Sequence, residues 1–380
     1  MKTKIAAVLL AAALILSGCM GNVQLKDRAI VQEVGIDYSG QEYTITLQIF
    51  NPEGSSGSGS FDPTAGNNLV VEATGDTITK AFQNAADQLG KEPFLGVNRL
   101  IVVGMDTAKE GVDHMIDYFN NYYGSRATAY VVAAEGNASE IVSAQIKVGI
   151  LPASAIISMA EEKERTGVAQ IGTVFRIISA SRTQGQDIMI PVLTTREGPT
   201  GEVTPEMAGS GILVDSKLQG VLDLAQTEGI QWAKGEIRQT ALTVETQELG
   251  RIAVAVHHSS SRTDCSLEGE TPKYTIQIRA DCSLNEVSSK QEALQREDLF
   301  RVEESVEKQI RRQVEEALEV SIQQYGADLL GLGRYLYQQY PEYWEEVEDN
   351  WAERLQNASI QVDVEVVIDR VSPMANTDIV

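Results

Sequence analysis

Cysteine and histidine are scarce, with three of each in 380 residues. That leaves too few ligands for a multi-ligand zinc site or a cysteine-rich scaffold. Basic residues are in deficit: 31 Lys and Arg stand against 54 Asp and Glu, a formal net charge of −23. A chain of this sign is repelled by DNA, RNA and anionic lipid headgroups, which sets nucleic-acid binding aside. No apolar run approaches the roughly 20 residues that a membrane-spanning helix needs. The motifs of enzymes are missing too. There is no His-Glu-x-x-His, no Gly-x-Ser-x-Gly elbow and no dinucleotide fingerprint. The sequence therefore assigns no catalytic residue, no metal site and no cofactor. What is there is globular: 43% hydrophobic against 22% charged residues, enough to build packed cores and too apolar for a disordered chain.

The first residues are the most legible. Lys2 and Lys4 precede an apolar run, Ile5 to Leu16. At about 12 residues it is a secretory core, too short to span a bilayer. It leads into Leu16-Ser17-Gly18-Cys19, which resembles the lipobox of bacterial lipoproteins. The resemblance implies removal of residues 1–18 and a diacylglyceryl group on the Cys19 sulfur. Two acyl chains give stable anchoring where one is marginal. The expected location is the outer face of the cytoplasmic membrane.

Further along, Ala29–Asp37 and the alternating Tyr43–Phe50 read as a hairpin around turn residues 37–41. Residues 51–68 contain Gly-Ser-Ser-Gly-Ser-Gly-Ser and read as a solvated linker. A helix is expected from Asp76 or Thr77 to Leu89, stopped by Gly90, and a second from Asp106 to Tyr123. Strands are expected at 99–103, 128–134 and 188–193. The segment Glu197–Pro205 holds two prolines and two glycines and reads as the best domain boundary. Beyond it, strands with tight turns are expected to 279. Leu299, Val302, Val306, Ile310, Val314, Leu318 and Ile322 then recur at spacings of three and four. They predict one helix of about 35 residues, roughly 50 Å long, packed on a sheet by its apolar stripe. Acid-first pairs such as Glu297/Arg301 and Glu307/Arg311 are expected on its exposed face. Pro341 opens a further helix, and Ser359–Arg370 alternates as a final strand.

The fold class that follows is α+β and multi-domain: two or three mixed α/β domains with largely antiparallel sheets, and a long amphipathic helix in the last. The expected divisions are 19–198, an N-terminal α+β domain; 199–266, a small β-rich domain; and 267–380, a C-terminal α+β domain. Cys265 and Cys282 flank an expected hairpin and form a candidate disulfide, with two half-buried thiols as the alternative. Tyr340, Trp344 and Trp351 sit at helix-like spacing, suited to packing on the last sheet or to contact with a partner. His257 and His258 are adjacent on a strand and point to opposite faces, so they do not share a metal. His114 has Asp117 at i+3 and reads as a surface residue.

The order of several segments carries more than any one of them. After the lipobox come Leu25-Lys26-Asp27-Arg28-Ala29-Ile30-Val31, then Gly35-Ile36-Asp37 and Tyr43 to Pro52. Gly90-Lys91-Glu92-Pro93-Phe94-Leu95-Gly96 and Asn98 to Val102 follow, then Gly211 to Val214 and Lys217 to Leu222. Glu228-Gly229-Ile230-Gln231-Trp232-Ala233-Lys234-Gly235 precedes Ala327-Asp328-Leu329-Leu330-Gly331-Leu332-Gly333, Tyr340 to Trp344 and Trp351. In this order the chain resembles the Ger(x)C family, lipoprotein subunits of nutrient germinant receptors in spore-forming bacteria. It departs from the family's pattern after the lipid cysteine, where Met20-Gly21 stands in place of Trp-Asp. The resemblance implies a non-enzymatic subunit acting with a large A subunit and a permease-like B subunit, at the spore inner membrane. The rival reading is a solute-binding lipoprotein of a transporter, which predicts two similar lobes; the chain shows no such duplication.

Overall fold

The computed structural model describes residues 27–50, 68–122, 124–144, 152–199, 201–247, 249–288 and 295–371. Cys19 and the Gly-Ser segment 51–67 lie outside them. The N-terminal half runs β1 (Arg28–Tyr38), β2 (Tyr43–Phe50), β3 (Asn68–Gly75), α1 (Ile78–Leu89), β4 (Glu92–Phe94), β5 (Leu100–Gly104), α2 (Met105–Glu110), α3 (Asp113–Asn121), β6 (Tyr130–Ala134), α4 (Ala138–Ser143), α5 (Pro152–Arg165), β7 (Gly172–Thr173), α6 (Val174–Ser181) and β8 (Ile188–Glu197). The chain continues through β9 (Val203–Val214), β10 (Lys217–Leu222), α7 (Leu224–Lys234), β11 (Thr240–Thr246), β12 (Gly250–Glu268) and β13 (Thr271–Val287). It ends with α8 (Arg296–Leu318), a π-helical turn (Glu319–Gln324), α9 (Leu332–Gln339), α10 (Pro341–Val347), α11 (Trp351–Gln356) and β14 (Ser359–Val371).

The first sheet has the order β10-β9-β8-β6-β5-β1-β2-β3, with β4 beside β1 and β7 beside β6. Its centre is parallel: β1 with β5, β5 with β6, β6 with β8. Leu-Ile-Val-Val-Gly of β5 is buried at every position, which is the pattern of a parallel strand covered on both faces. One face packs on α1, α3 and α6 through residues such as Phe82, Phe119 and Ile177. The other is covered by α4 and α5 through Ile141, Val142, Ile156 and Ile157. Thr77 caps α1, its Oγ1 accepting the Lys80 N–H at 3.1 Å, and Gly90 ends it in the left-handed region.

The second sheet, β11-β12-β13-β14, is covered on one face. Val302, Val306, Ile310, Val314 and Ile322 of the expected stripe are all buried there. Each contributes about 1.5–3 kcal/mol of apolar burial, and the β-branched stripe seats the helix on the sheet. Met189, Ile212 and Leu222 of the first sheet join the same apolar cluster. The two sheets thus share a core.

Several sequence-based divisions move. Glu197–Pro205 is a hairpin connection, because β9 pairs with β8 over its whole length. Residues 203–222 therefore extend the first sheet. The 266/267 division falls near the tip of the β12–β13 hairpin, two long strands of one sheet. Polar residues such as Ser259, Ser261 and Thr263 hid this strand, yet the pairing with β13 runs through them. The expected helix from 106 to 123 breaks at Gly111, whose φ of 134° is not helical. Helix α7 was not expected at all, although Asp223 and Gln226 form a capping box at its start.

Candidate functional site

The C-terminal helices meet the first sheet along a seam centred on Asp328. The Asp187 N–H donates to the Asp328 carbonyl at 2.8 Å, and the Asp328 N–H donates back to Asp187 Oδ2 at 2.8 Å. This two-bond ring joins the loop before β8 to the loop before α9. The Asp328 carboxylate then collects three donors: Leu332 N at 2.8 Å on Oδ1, Gly333 N at 2.7 Å and Trp351 Nε1 at 3.0 Å on Oδ2. Burial pushes the Asp328 carboxyl up to about 6, against those hydrogen bonds, which pull it down. Burial likewise pushes Asp187 up to about 6; the Asp328 N–H opposes this and the charges of Asp328 and Asp215 add to it.

Glycine is required on both sides of the seam. A Cβ on Gly333 would lie 2.7 Å from the Gly185 Cα and 2.7 Å from the Trp344 ring. Trp344 packs on Trp351 with ring centroids 5.3 Å apart, and the Tyr274 hydroxyl donates to the Leu332 carbonyl at 3.1 Å. The Asp-x-x-Gly-x-Gly passage is thus a carboxylate hub followed by a turn that buries Leu329 and Leu332 and has no room for a side chain at Gly333. Gly229 has a similar role. A Cβ there would strike the Gln313 carbonyl and Ala317, so Gly229 lets α7 approach α8 closely.

A cleft of about 810 Å³ opens along this seam. Its walls carry Asp113, Asp117, Asp187, Asp215, Glu348 and Asp349, with Arg182 as a basic counterweight. A low-dielectric wall lined by one sign of charge attracts cations and basic side chains.

A second polar set lies under α4. Asp37 Oδ1 accepts the Ala138 N–H at 2.8 Å and Oδ2 accepts the Ser139 N–H at 3.2 Å, which holds the start of the helix. Gln48 Nε2 donates to the Val142 carbonyl at 3.1 Å and holds its end. Glu33, on the same sheet and opposite Gln48, is fully buried, and neither carboxylate oxygen has a partner. Burial alone pushes it up to about 8.

The residues singled out from sequence are distributed as follows. Trp344 and Trp351 are core residues, 2% and 8% exposed, and Tyr340 packs half-buried beside them. Cys265 faces Tyr274 and Cys282 faces Val256. Tyr274 and Cys282 are eight steps apart on one strand, about 26 Å at ~3.3 Å per residue. The candidate disulfide is therefore corrected: both thiols are free, and burial pushes Cys282 up to about 12. His257 Nε2 lies 3.4 Å from Asp369 on the exposed face of the second sheet. Glu307 does not serve only the helix surface: its Oε1 accepts the Val366 N–H at 3.1 Å, and Glu303 accepts the Ile368 N–H at 2.9 Å. The two carboxylates cover the open edge of β14. Asp187 was missed in the sequence, where an aspartate in a Gly-Gln loop carries no signal. Among the described residues, no helix is long and apolar enough to cross a membrane.

Comparison with known proteins agrees with this architecture. Residues 21–195 match the spore germination protein N-terminal domain, and residues 208–372 match the spore germination B3/GerAC-like C-terminal domain. The gap between them spans the β8–β9 connection and the start of β9, so the family models divide the chain at the Glu197–Pro205 segment read as a boundary, although the first sheet runs across it. The chain is 24% identical to spore germination protein KC of Bacillus subtilis (strain 168), over 97% of this chain and 96% of that protein. It is 22% identical to spore germination protein B3 of the same organism, over 92% of this chain and 93% of that protein. The crystal structure of the GerBC protein superposes with a TM-score of 0.59 at 19% identity, covering 88% of this chain and 96% of that one. That likeness speaks for the fold. With both domain models matched in order across nearly its whole length, the chain belongs to the Ger(x)C, or GerAC-like, family of spore germination proteins.

Proposed function

We propose that this protein is a lipid-anchored subunit of a spore germinant receptor, and that it acts through protein contacts and not by catalysis. The observation that carries the reading is the end-to-end match to germination proteins, in which both domain models are present and in order. The Cys19 lipobox supports anchoring by diacylglycerol at the outer face of the cytoplasmic membrane, the inner membrane of a spore. The partners in this reading are the large A subunit and the permease-like B subunit. Trp344 and Trp351 lie in the core, so partner contacts fall to the exposed surfaces instead.

Co-isolation tests the proposal. The C-terminus is tagged, spore membranes are solubilised in mild detergent, and proteins recovered with the parent and with Cys19→Ala are identified. A permease-like protein and a second large membrane protein are expected with the parent, and loss of both with Cys19→Ala. Anchored parent protein that brings down neither would sink the receptor reading and favour a free-standing binding lipoprotein.

A further inference from the structure

We infer that one end of the ten-stranded sheet, where β1, β3 and β4 begin, rests against the phospholipid headgroups of the bilayer holding the anchor. This deepens the lipid-anchor reading of Cys19 and depends on it. The strand register defines that end. Arg28 lies opposite Glu92 and Ile30 opposite Phe94, while Val31 pairs with Ile49 and Ile49 with Leu69. The starts of β1, β4 and β3 and the finish of β2 therefore sit together.

Tether length limits the orientation. Eight residue steps separate Cys19 from Asp27, the first described residue, a reach of at most about 29 Å fully extended. From Arg28 to Tyr38, β1 alone is about 33 Å long. Inverting the body, with the β1–β2 turn on the membrane, would put Asp27 beyond the tether's reach. Only upright or tilted placements remain.

The surface decides between those two. At the tethered end, Leu69 is 46% exposed and Val70 is 40% exposed, successive residues at the start of an edge strand, one on each face of the sheet. The Arg28 guanidinium sits 4.7 Å from the Phe94 ring centroid, and Lys91 is exposed next to them. At the starts of β1 and β4, Arg28 and Lys91 balance Asp27 and Glu92, so this corner is locally neutral; Asp187 before β8 and Asp215 after β9 stand at the same end of the sheet but on the side away from β3. The far end of the same sheet gathers Asp37, Asp76, Asp106, Glu135 and Glu140, against Lys109 paired with Asp106. Anionic headgroups repel the far end. The tethered end offers them two aliphatic side chains and two cations, the combination that favours an interfacial position.

Site-specific fluorescence on the full lipidated chain tests this. A fluorophore is placed at Val70→Cys, Lys91→Cys or, at the far end, Ser39→Cys. The background is Cys265→Ser; Cys282 is fully buried and stays unlabelled. Proteins are reconstituted into phosphatidylcholine–phosphatidylglycerol vesicles carrying a nitroxide lipid and no other protein. Quenching at positions 70 and 91 is expected to exceed that at 39 severalfold. Leu69→Ser with Val70→Ser is expected to lower quenching at 91, in protein that melts like the parent. Equal quenching at both ends overturns the inference. Quenching at 91 that ignores the double serine variant also overturns it, because tether proximity alone would then explain the signal. Mass analysis of the N-terminal peptide reads the anchor separately. A missing diacylglyceryl group would sink the Cys19 reading itself, whereas an intact anchor with equal quenching sinks only the orientation.

Discussion

Asp328 and Glu33 are both carboxyls without solvent contact, one at the seam and one inside the first sheet. Asp328 accepts three hydrogen bonds and is pushed only to about 6. Glu33 has none and is pushed to about 8. The difference teaches that burial raises both, and that backbone and indole N–H groups hold one near the usual acid range. At neutral pH Asp328 is ionised and organises a turn, an indole and a neighbouring loop. Glu33 is protonated there and organises nothing visible, so its burial is a cost that the rest of α4's seat must offset.

Removing the satisfied carboxyl should have the largest effect. Asp328→Ala leaves three buried donors without a partner, each costing about 1–3 kcal/mol, and is expected to destabilise by about 3–5 kcal/mol in urea unfolding. Recovery of parent stability by the alanine variant would erase the contrast between the two carboxyls. The unsatisfied one should behave in the opposite way. Glu33 has a folded value near 8 against an ordinary 4.5, so the folded state keeps a proton that the unfolded chain releases. Its contribution is fully present below about 4.5 and is lost as pH rises through about 8. Glu33→Gln should therefore gain on the parent steadily across that window, reaching a few kcal/mol at the top. A pH-independent difference between the two melting curves would show that Glu33 is not titrating as a buried acid.

Smaller changes sharpen the comparison. Gly333→Ala keeps the Asp328 carboxylate but pushes a methyl into Gly185 and Trp344, at an expected cost of about 1–3 kcal/mol. If that substitution is silent in thermal melts, hydrogen bonding holds the seam without close packing. Glu303→Ala and Glu307→Ala each remove a half-exposed carboxylate with one backbone partner and should cost about 0.5–1.5 kcal/mol. Faster amide exchange at Val366 and Ile368 is the more sensitive readout; unchanged exchange there would mean that the carboxylates do not guard the edge.

Periodicity made much of the frame readable. The β1–β2 hairpin, α1, the stripe of α8 and the alternation of β14 all follow from local spacing. The ordered glycine, aspartate and tryptophan segments pointed to the family before any contact was known. Other features were not legible for definite reasons. The β12–β13 hairpin runs through Ser and Thr because its partner strand, not its own pattern, holds it extended. Glu197–Pro205 has the composition of a linker, and the same composition makes a tight connection within a sheet. Of the candidate site, Asp328, Gly331, Gly333 and both tryptophans stood out in sequence, while Asp187 and Glu33 did not.

By itself, the sequence determined the acidic character, the α+β alternation and the family, since each depends on composition or on residue order within short windows. The tertiary structure alone decided which strands neighbour one another, that the two free cysteines stand far apart, and that the aromatic segment faces inward. It also decided that one buried acid has three partners and the other has none. Those outcomes depend on residues such as Asp187 and Asp328, 141 positions apart, whose meeting no local pattern encodes.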